Sequence, residues 1–294
     1  MYNCTDFVSD VRSLVAGRLD ELKLLLHHCE VSDQLLPGKM LRTRLAGRLS
    51  EGGLQEVGSS VITRLCAATE LAHTASLCHD DVIDNALIRR AAPTLWRTTG
   101  RSAAVLIGDL LLCESTRLVL ETNDGHYMAS FTEKLREVCS AEAEQELAYR
   151  GKKLDVETCL GVARGKTGPL FAFVASACAG DDLQLSSALE EVGYRIGTAY
   201  QLADDLLDET GEIDTAGKTL GTDVLRRKFT LTQSPDGGAS VVRQEIDGLC
   251  NSAVGLVEKW PEAQTGIKRF FSEDVQVAFD RHLCDQDLSI RTDE

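Results

Sequence analysis

The sequence predicts an all-α protein, and three observations carry that expectation. Five prolines in 294 residues leave long unbroken stretches, apolar positions recur with helical spacing through six segments, and strand signals are scarce. A hydrophobic content of 43% is ample for a buried core at this length. No repeat of solenoid period and no linker-like shift in composition divides the chain, so one helical domain over residues 1–294 is expected.

Taken in order, the first helical segment is 6–28. The second, 59–79, carries Cys66 and Cys78 in its apolar run and leads into an acidic sequence. The third, 103–121, follows the break at Pro93 and places Cys113 among apolar neighbours. The fourth is 132–149, and the fifth, 157–179, includes Cys178, with Pro169 read as the end or start of a helix. The sixth, 185–209, ends in a second acidic sequence. Beyond it the run QSPDGGAS at 233–240 is the clearest loop, and helical-looking segments near 241–259 and 262–284 close the chain, the latter after Pro261. Pro37 with Gly38 marks a further break.

The acidic balance, 46 Asp+Glu against 31 Lys+Arg for a net charge of −15, argues against nucleic acid as a partner, because phosphate backbones are bound by clustered Lys and Arg. It leaves room for a phosphorylated substrate held through a divalent cation. No stretch approaches the ~20 apolar residues of a membrane span. The amino-terminal sequence MYNCTDFVSDVRSLV has the shape of neither a secretory signal nor a transit peptide, so a cytoplasmic address is expected. The ten cysteines form no CxxC pair and are expected to be reduced and structural, several of them in the core.

Two carboxylate clusters carry the chemistry. Asp80, Asp81 and Asp84 stand at i, i+1 and i+4 after an apolar run, so a helix stacks two of them one turn apart with the third flanking. Asp204, Asp205 and Asp208 repeat the pattern after the sixth segment. A lone DDxxD is most often a solvated acidic turn, but two copies at the ends of two core helices are hard to explain as surface. Facing each other, six carboxylates would line one cavity, and hard oxygen ligands suit Mg²⁺, or Mn²⁺ in its place. A diphosphate held between such ions becomes a good leaving group.

Basic residues stand near both clusters: Arg89 and Arg90 after the first, Lys218, Arg226, Arg227 and Lys228 after the second, and Lys39, Arg42 and Arg44 in PGKMLRTR. Gly-Lys recurs at 38–39, 165–166 and 217–218 in loop-like settings, where glycine lets backbone approach an anion.

Together these motifs resemble the trans-type polyprenyl diphosphate synthase family, over about residues 35–230 and in the family's order. The resemblance implies a single helical bundle of the isoprenoid synthase type with a central active-site cavity. It implies condensation of isopentenyl diphosphate with an allylic diphosphate, two magnesium sites at the two DDxxD clusters, and a homodimer. Lys39, Arg42 and His73 would serve the isopentenyl diphosphate; Arg89 would face the allylic diphosphate and Arg90 the isopentenyl one. Lys166, Thr167, Gln201, Lys218, Asp223 and Lys228 match positions around the allylic diphosphate and its metals. In the family the released diphosphate takes the proton lost after coupling.

The same resemblance bears on product length. Ala75 and Ser76, with Ala72 and Ala68 one and two further turns back, are small and close to one face. No aromatic blocks the helix before Asp80, so geranylgeranyl diphosphate or a longer all-trans product is expected, and Ala75→Phe should shorten it. An alanine seam for tight helix packing is the structural alternative. Met40 and Thr43 depart from the family's first loop, and the part after about residue 230 is shorter than usual and atypical. Rival functions are a terpene cyclase of the same fold, a non-catalytic partner subunit of a prenyl synthase, and a metal phosphohydrolase. The first lacks a second DDxxD and the Lys39, Arg42 and His73 set; the second usually loses aspartates. The third would use His73 and His79, but His79 is more simply a helix residue against the diphosphate site.

Overall fold

Apolar stripes of helical period settle here into helices that bury them against one another. The computed structural model describes residues 3–25, 35–54, 59–210 and 228–276. Among these run α1 (Cys4–Leu25), α2 (Leu41–Gly52), α3 (Ser59–Asp84), a two-residue antiparallel hairpin β1 (Ile88–Arg89) and β2 (Ala92–Pro93), α4 (Leu95–Thr99) and α5 (Arg101–Leu120). They continue through α6 (Gly125–Glu144), which widens into a π-helical turn at Gln145–Tyr149, α7 (Val156–Ala177), α8 (Leu183–Thr210), α9 (Ala239–Leu256) and α10 (Pro261–Phe270), ending in a second π turn at Phe271–Val275. The all-α expectation holds, and the six predicted segments fall on α1, α3, α5, α6, α7 and α8.

Two local expectations are corrected, and one helix is added. Residues 41–52 form α2, which starts after Met40 in a left-handed conformation (φ 52°) with no side-chain cap. Pro169 lies inside α7, and Gly165-Lys166 is likewise mid-helix, not a loop. Pro169 has no N–H to give the carbonyl four residues back. Its segment stays helical because residues 167–175 are all buried. Gly165 serves packing: a Cβ there would stand 2.7 Å from the Ala141 Cβ on α6.

α7 and α8 form the most extensive pair in the bundle. They cross on glycines. A Cβ at Gly193 would lie 2.4 Å from the Ala172 Cα, and one at Gly197 would lie 2.6 Å from the Gly168 Cα. This close crossing brings Thr167 beside Gln201, a fact the site depends on. Phe131 of α6 packs on Phe173 of α7 with ring centroids 5.0 Å apart.

The carboxyl-terminal helices close the bundle. α9 lies against α8, and α10 lies against α2, where a Cβ on Gly266 would stand 2.6 Å from the Arg48 carbonyl oxygen. Asp274, buried, then pairs with Arg44 (3.0 Å) and Arg48 (2.7 Å) of α2. The described cysteines are free thiols; Cys66, Cys78 and Cys178 are buried as expected, but Cys113 is exposed on α5. No helix among the described residues is long and apolar enough to cross a membrane.

Candidate active site

α3 and α8 each end in an aspartate cluster, and the bundle turns both toward one cavity of about 560 Å³. Helical geometry decides which residues of α3 reach it. His73, Leu77, Asp80 and Asp84 follow one another at three- and four-residue steps on a single face, with Ser76 at its edge, and all five line the cavity. α8 contributes Tyr200, Gln201, Asp204, Asp205 and Asp208; α7 contributes Lys166 and Thr167. Lys39 and Arg42 enter from the start of α2, Arg89 and Arg90 from the hairpin, and Lys228 from the segment that precedes α9.

Asp81 is placed elsewhere. It is buried and takes a bidentate grip from Arg89, with Nε to Oδ1 at 2.9 Å and to Oδ2 at 3.0 Å, and Nη2 to Oδ1 at 2.7 Å. This fork matches a carboxylate in both geometry and charge and leaves the Nη1 donors of Arg89 for another acceptor. Ala68, Ala72 and Ala75 are also absent from the cavity wall. They share the α3 face of His79, which packs on α5: a Cβ at Gly108 would meet His79 Nε2 at 2.3 Å. His79 itself is 3.2 Å from the Val105 carbonyl and 3.3 Å from Asp109, so its expected position against the diphosphate site is corrected. Lys218 and Asp223, with Arg226 and Arg227, lie outside the described residues.

Two lysines of the cavity are already engaged by carboxylates. Lys228 Nζ stands 3.0 Å from Asp84, and Lys166 Nζ is 2.9 Å from Glu142 and donates to Gln145 Oε1 at 2.9 Å. Burial opposes the charge on Lys166, but Glu142 and Asp80 outweigh it and hold the ammonium above the usual lysine range. Burial, with Glu142 next, raises the Asp80 carboxyl above the usual aspartate range, against the pull of Lys166, Lys228 and Arg89. Thr167 Oγ1 donates to Gln201, whose Nε2 donates to Asp205 at 2.7 Å, so α7 orients an aspartate of α8. Glu142 and Gln145 did not stand out in the sequence, because AEAEQE reads as a solvated helix face; their i, i+3 spacing toward Lys166 was the available signal.

A second region surrounds Lys39 and Arg42. Arg42 is almost wholly buried, lies 4.9 Å from the Phe171 ring, and has no partner for its Nε. Lys39 lies 5.9 Å from the Tyr200 ring. Burial, then Arg42, Arg90 and Arg89, push His73 well below the ordinary histidine range, so it is neutral. Behind it Glu70, buried, accepts from Thr43 Oγ1 at 2.8 Å.

The donor set fits a hard divalent cation: Asp80, Asp84, Asp204, Asp205 and Asp208 present carboxylate oxygens to one space. Among the described residues no group of three or more His, Cys, Asp or Glu is placed so that it could hold a metal ion.

Comparison with known proteins bears on the family and the fold. The polyprenyl synthetase family model matches residues 27–234. A geranylgeranyl diphosphate synthase of Mycobacterium tuberculosis is 33% identical over 205 residues, covering 66% of this chain and 57% of that protein. A heptaprenyl diphosphate synthase component 2 of Bacillus subtilis is 31% identical over 205 residues, covering 69% and 59%. The chain thus spans little more than half the length of these curated relatives. A crystal structure of a polyprenyl synthase from Caulobacter crescentus, complexed with calcium and isoprenyl diphosphate, superposes with a TM-score of 0.73 at 25% identity, covering 90% of this chain and 93% of that one.

Proposed function

The chain belongs to the polyprenyl synthetase family, and on that premise we propose that it condenses isopentenyl diphosphate with an allylic diphosphate to make a linear all-trans polyprenyl diphosphate. The observation that carries this is the single cavity in which aspartates of α3 and α8 face Lys166, Lys228, Lys39 and Arg42. It offers two anion regions, one among the aspartates and one at the start of α2, as a two-substrate coupling needs.

A divalent cation, taken to be Mg²⁺, would be held by Asp80 and Asp84 on one side and by Asp204, Asp205 and Asp208 on the other, and would neutralise the departing allylic diphosphate. Lys166, Lys228 and the Nη1 donors of Arg89 add fixed positive charge where that diphosphate leaves. Thr167 and Gln201 keep Asp205 in one orientation. Lys39, Arg42 and Arg90 hold the second diphosphate, with neutral His73 able to donate one hydrogen bond. The allylic C–O bond breaks, the isopentenyl double bond forms the new C–C bond, and a proton is lost. His73 is a poor acceptor for it, since burial and three nearby guanidiniums disfavour its protonated form. The released diphosphate remains the better base.

A product of geranylgeranyl length or longer is proposed because the α3 residues that line the cavity just before Asp80, Leu77 on its face and Ser76 at its edge, are not aromatic. A cytoplasmic setting is supported by the free thiols. A homodimer is proposed on the exposed apolar side chains Ile83, Val105 and Leu106 at the junction of α3 and α5. Light scattering should give twice the chain mass.

The deciding assay supplies Mg²⁺ and isopentenyl diphosphate with dimethylallyl, geranyl or farnesyl diphosphate. Linear extended diphosphates are expected, and chelation should stop their formation. A cyclic product from the allylic diphosphate alone, or no product without a second protein, would replace this assignment.

A further inference from the structure

The loop before α2 is held in a way that no motif in the sequence announces. Four consecutive carbonyls, from Leu36 to Lys39, are each taken by a guanidinium. Arg90 Nη1 donates to the Leu36 oxygen at 2.5 Å, Arg12 Nη1 to the Pro37 oxygen at 3.2 Å, Arg12 Nη2 to the Gly38 oxygen at 3.4 Å, and Arg44 Nε to the Lys39 oxygen at 3.0 Å. The three arginines come from the hairpin, from α1 and from α2. Gly38 lets the Arg90 guanidinium lie close to the loop, since a Cβ there would stand 2.9 Å from the guanidinium carbon.

Arg90 lines the cavity, but Arg12 and Arg44 do not. Beyond the field of their charges, their contacts reach the site only through the loop. A short loop without helix or sheet bonds has mobile carbonyls, and each oxygen that swings toward an anion repels it. Charge-assisted donors fix those oxygens and spare the ligand the ordering of the loop when it binds. Arg44 is itself fixed from behind: Asp274 of the last described turn accepts from its Nη1 at 3.0 Å and from Arg48 Nε at 2.7 Å. The carboxyl-terminal segment and α1 therefore both end on the backbone that carries Lys39 and leads into Arg42.

We propose that Arg12 and Arg44 are positioning residues that preorganise the Lys39 and Arg42 anion region. They set affinity for the homoallylic diphosphate and leave the aspartate-lined region alone. The inference rests on that region taking isopentenyl diphosphate. It is tested by calorimetric titration of the whole protein with isopentenyl diphosphate alone, followed by steady-state kinetics, for wild type, Arg12→Met, Arg44→Met and Arg12→Lys.

Each Met variant should bind isopentenyl diphosphate on the order of tenfold more weakly. KM for isopentenyl diphosphate should rise by the same factor, with kcat and the allylic KM unchanged. Arg12→Lys should recover part of the loss, because an ammonium can still reach one carbonyl. If both Met variants bind like wild type, or if both KM values rise together with a fall in melting temperature, the positioning role is wrong while the two-substrate assignment stands. Wild type that binds no isopentenyl diphosphate would remove the assignment of the region and this inference with it. Arg12→Met carries the test should Arg44→Met fail to fold, since its hydrogen bonds go to the loop alone.

Discussion

Adding one methyl group at Gly197 should separate the two helices on which the site is built. A Cβ there would lie 2.6 Å from the Gly168 Cα, 2.7 Å from its nitrogen and 2.8 Å from the Thr167 carbonyl carbon. Carbon atoms in contact prefer about 3.5–4.0 Å, so the shortfall is about 1 Å. All three neighbours are backbone, and no rotamer change can absorb it. α7 and α8 must part, at about 1–3 kcal/mol for overpacking. Alanine gains about 1 kcal/mol over glycine in a helix interior, which offsets part of that. A net loss of about 1 kcal/mol is expected for Gly197→Ala, a fall of about 2–4 °C in melting temperature for a chain of this size. Gly161→Ala is the control: it lies in α7 with nothing within 4 Å of its Cβ, so it should raise the melting temperature by a similar amount. Gly197→Ala should also lose turnover, because parting the helices pulls Thr167 from Gln201. Thermal unfolding by circular dichroism and product formation read the two effects. If Gly197→Ala stabilises the protein as Gly161→Ala does and keeps full activity, the close crossing is not what positions the site.

Other expectations are direct. Asp80→Ala and Asp204→Ala should each lower turnover by ~10²-fold or more, measured with both substrates saturating; near-normal rates would remove that aspartate from the site. Ser76→Phe should shorten the product on chromatography, whereas Ala75→Phe should chiefly destabilise the protein, since Ala75 is wholly buried on the α5 side of α3. His73 has a folded pKa well below its unfolded value of about 6.5, so its neutral burial stabilises the fold above that pH and the stabilisation is lost as pH falls below it. Melting temperature should therefore drop on acidification from about pH 7 to about pH 5, and less steeply in His73→Gln; parallel slopes would show that His73 is not buried in the neutral form.

Much of this architecture was legible because it rests on period and repetition. The long helices declare themselves through apolar spacing, and the two DDxxD clusters through their duplication at helix ends. What stayed hidden depends on partners distant in sequence. α2 begins after Met40 without a capping side chain, so no start signal precedes it. Pro169 and Gly165 look like helix breakers, and only the packing of α7 on α6 and α8 explains why they are not. Asp81 belongs to the same motif as Asp80 but lies 100° around the helix, and its pairing with Arg89 required the hairpin to be in place. Arg12 sits on α1 with nothing beside it in sequence to mark it, since its acceptors are carbonyls, which every residue has.

The ion pairs of the cavity imply something about how ligands enter. Asp84 with Lys228, and Glu142 with Lys166, make the resting site behave like an exchange resin loaded with its own counterions. A diphosphate arriving alone competes with carboxylates for these lysines; a metal ion arriving alone competes with lysines for these carboxylates. Arriving together, each takes the partner the other displaces. Diphosphate affinity should consequently climb with metal concentration, and metal affinity with diphosphate, by one and the same factor.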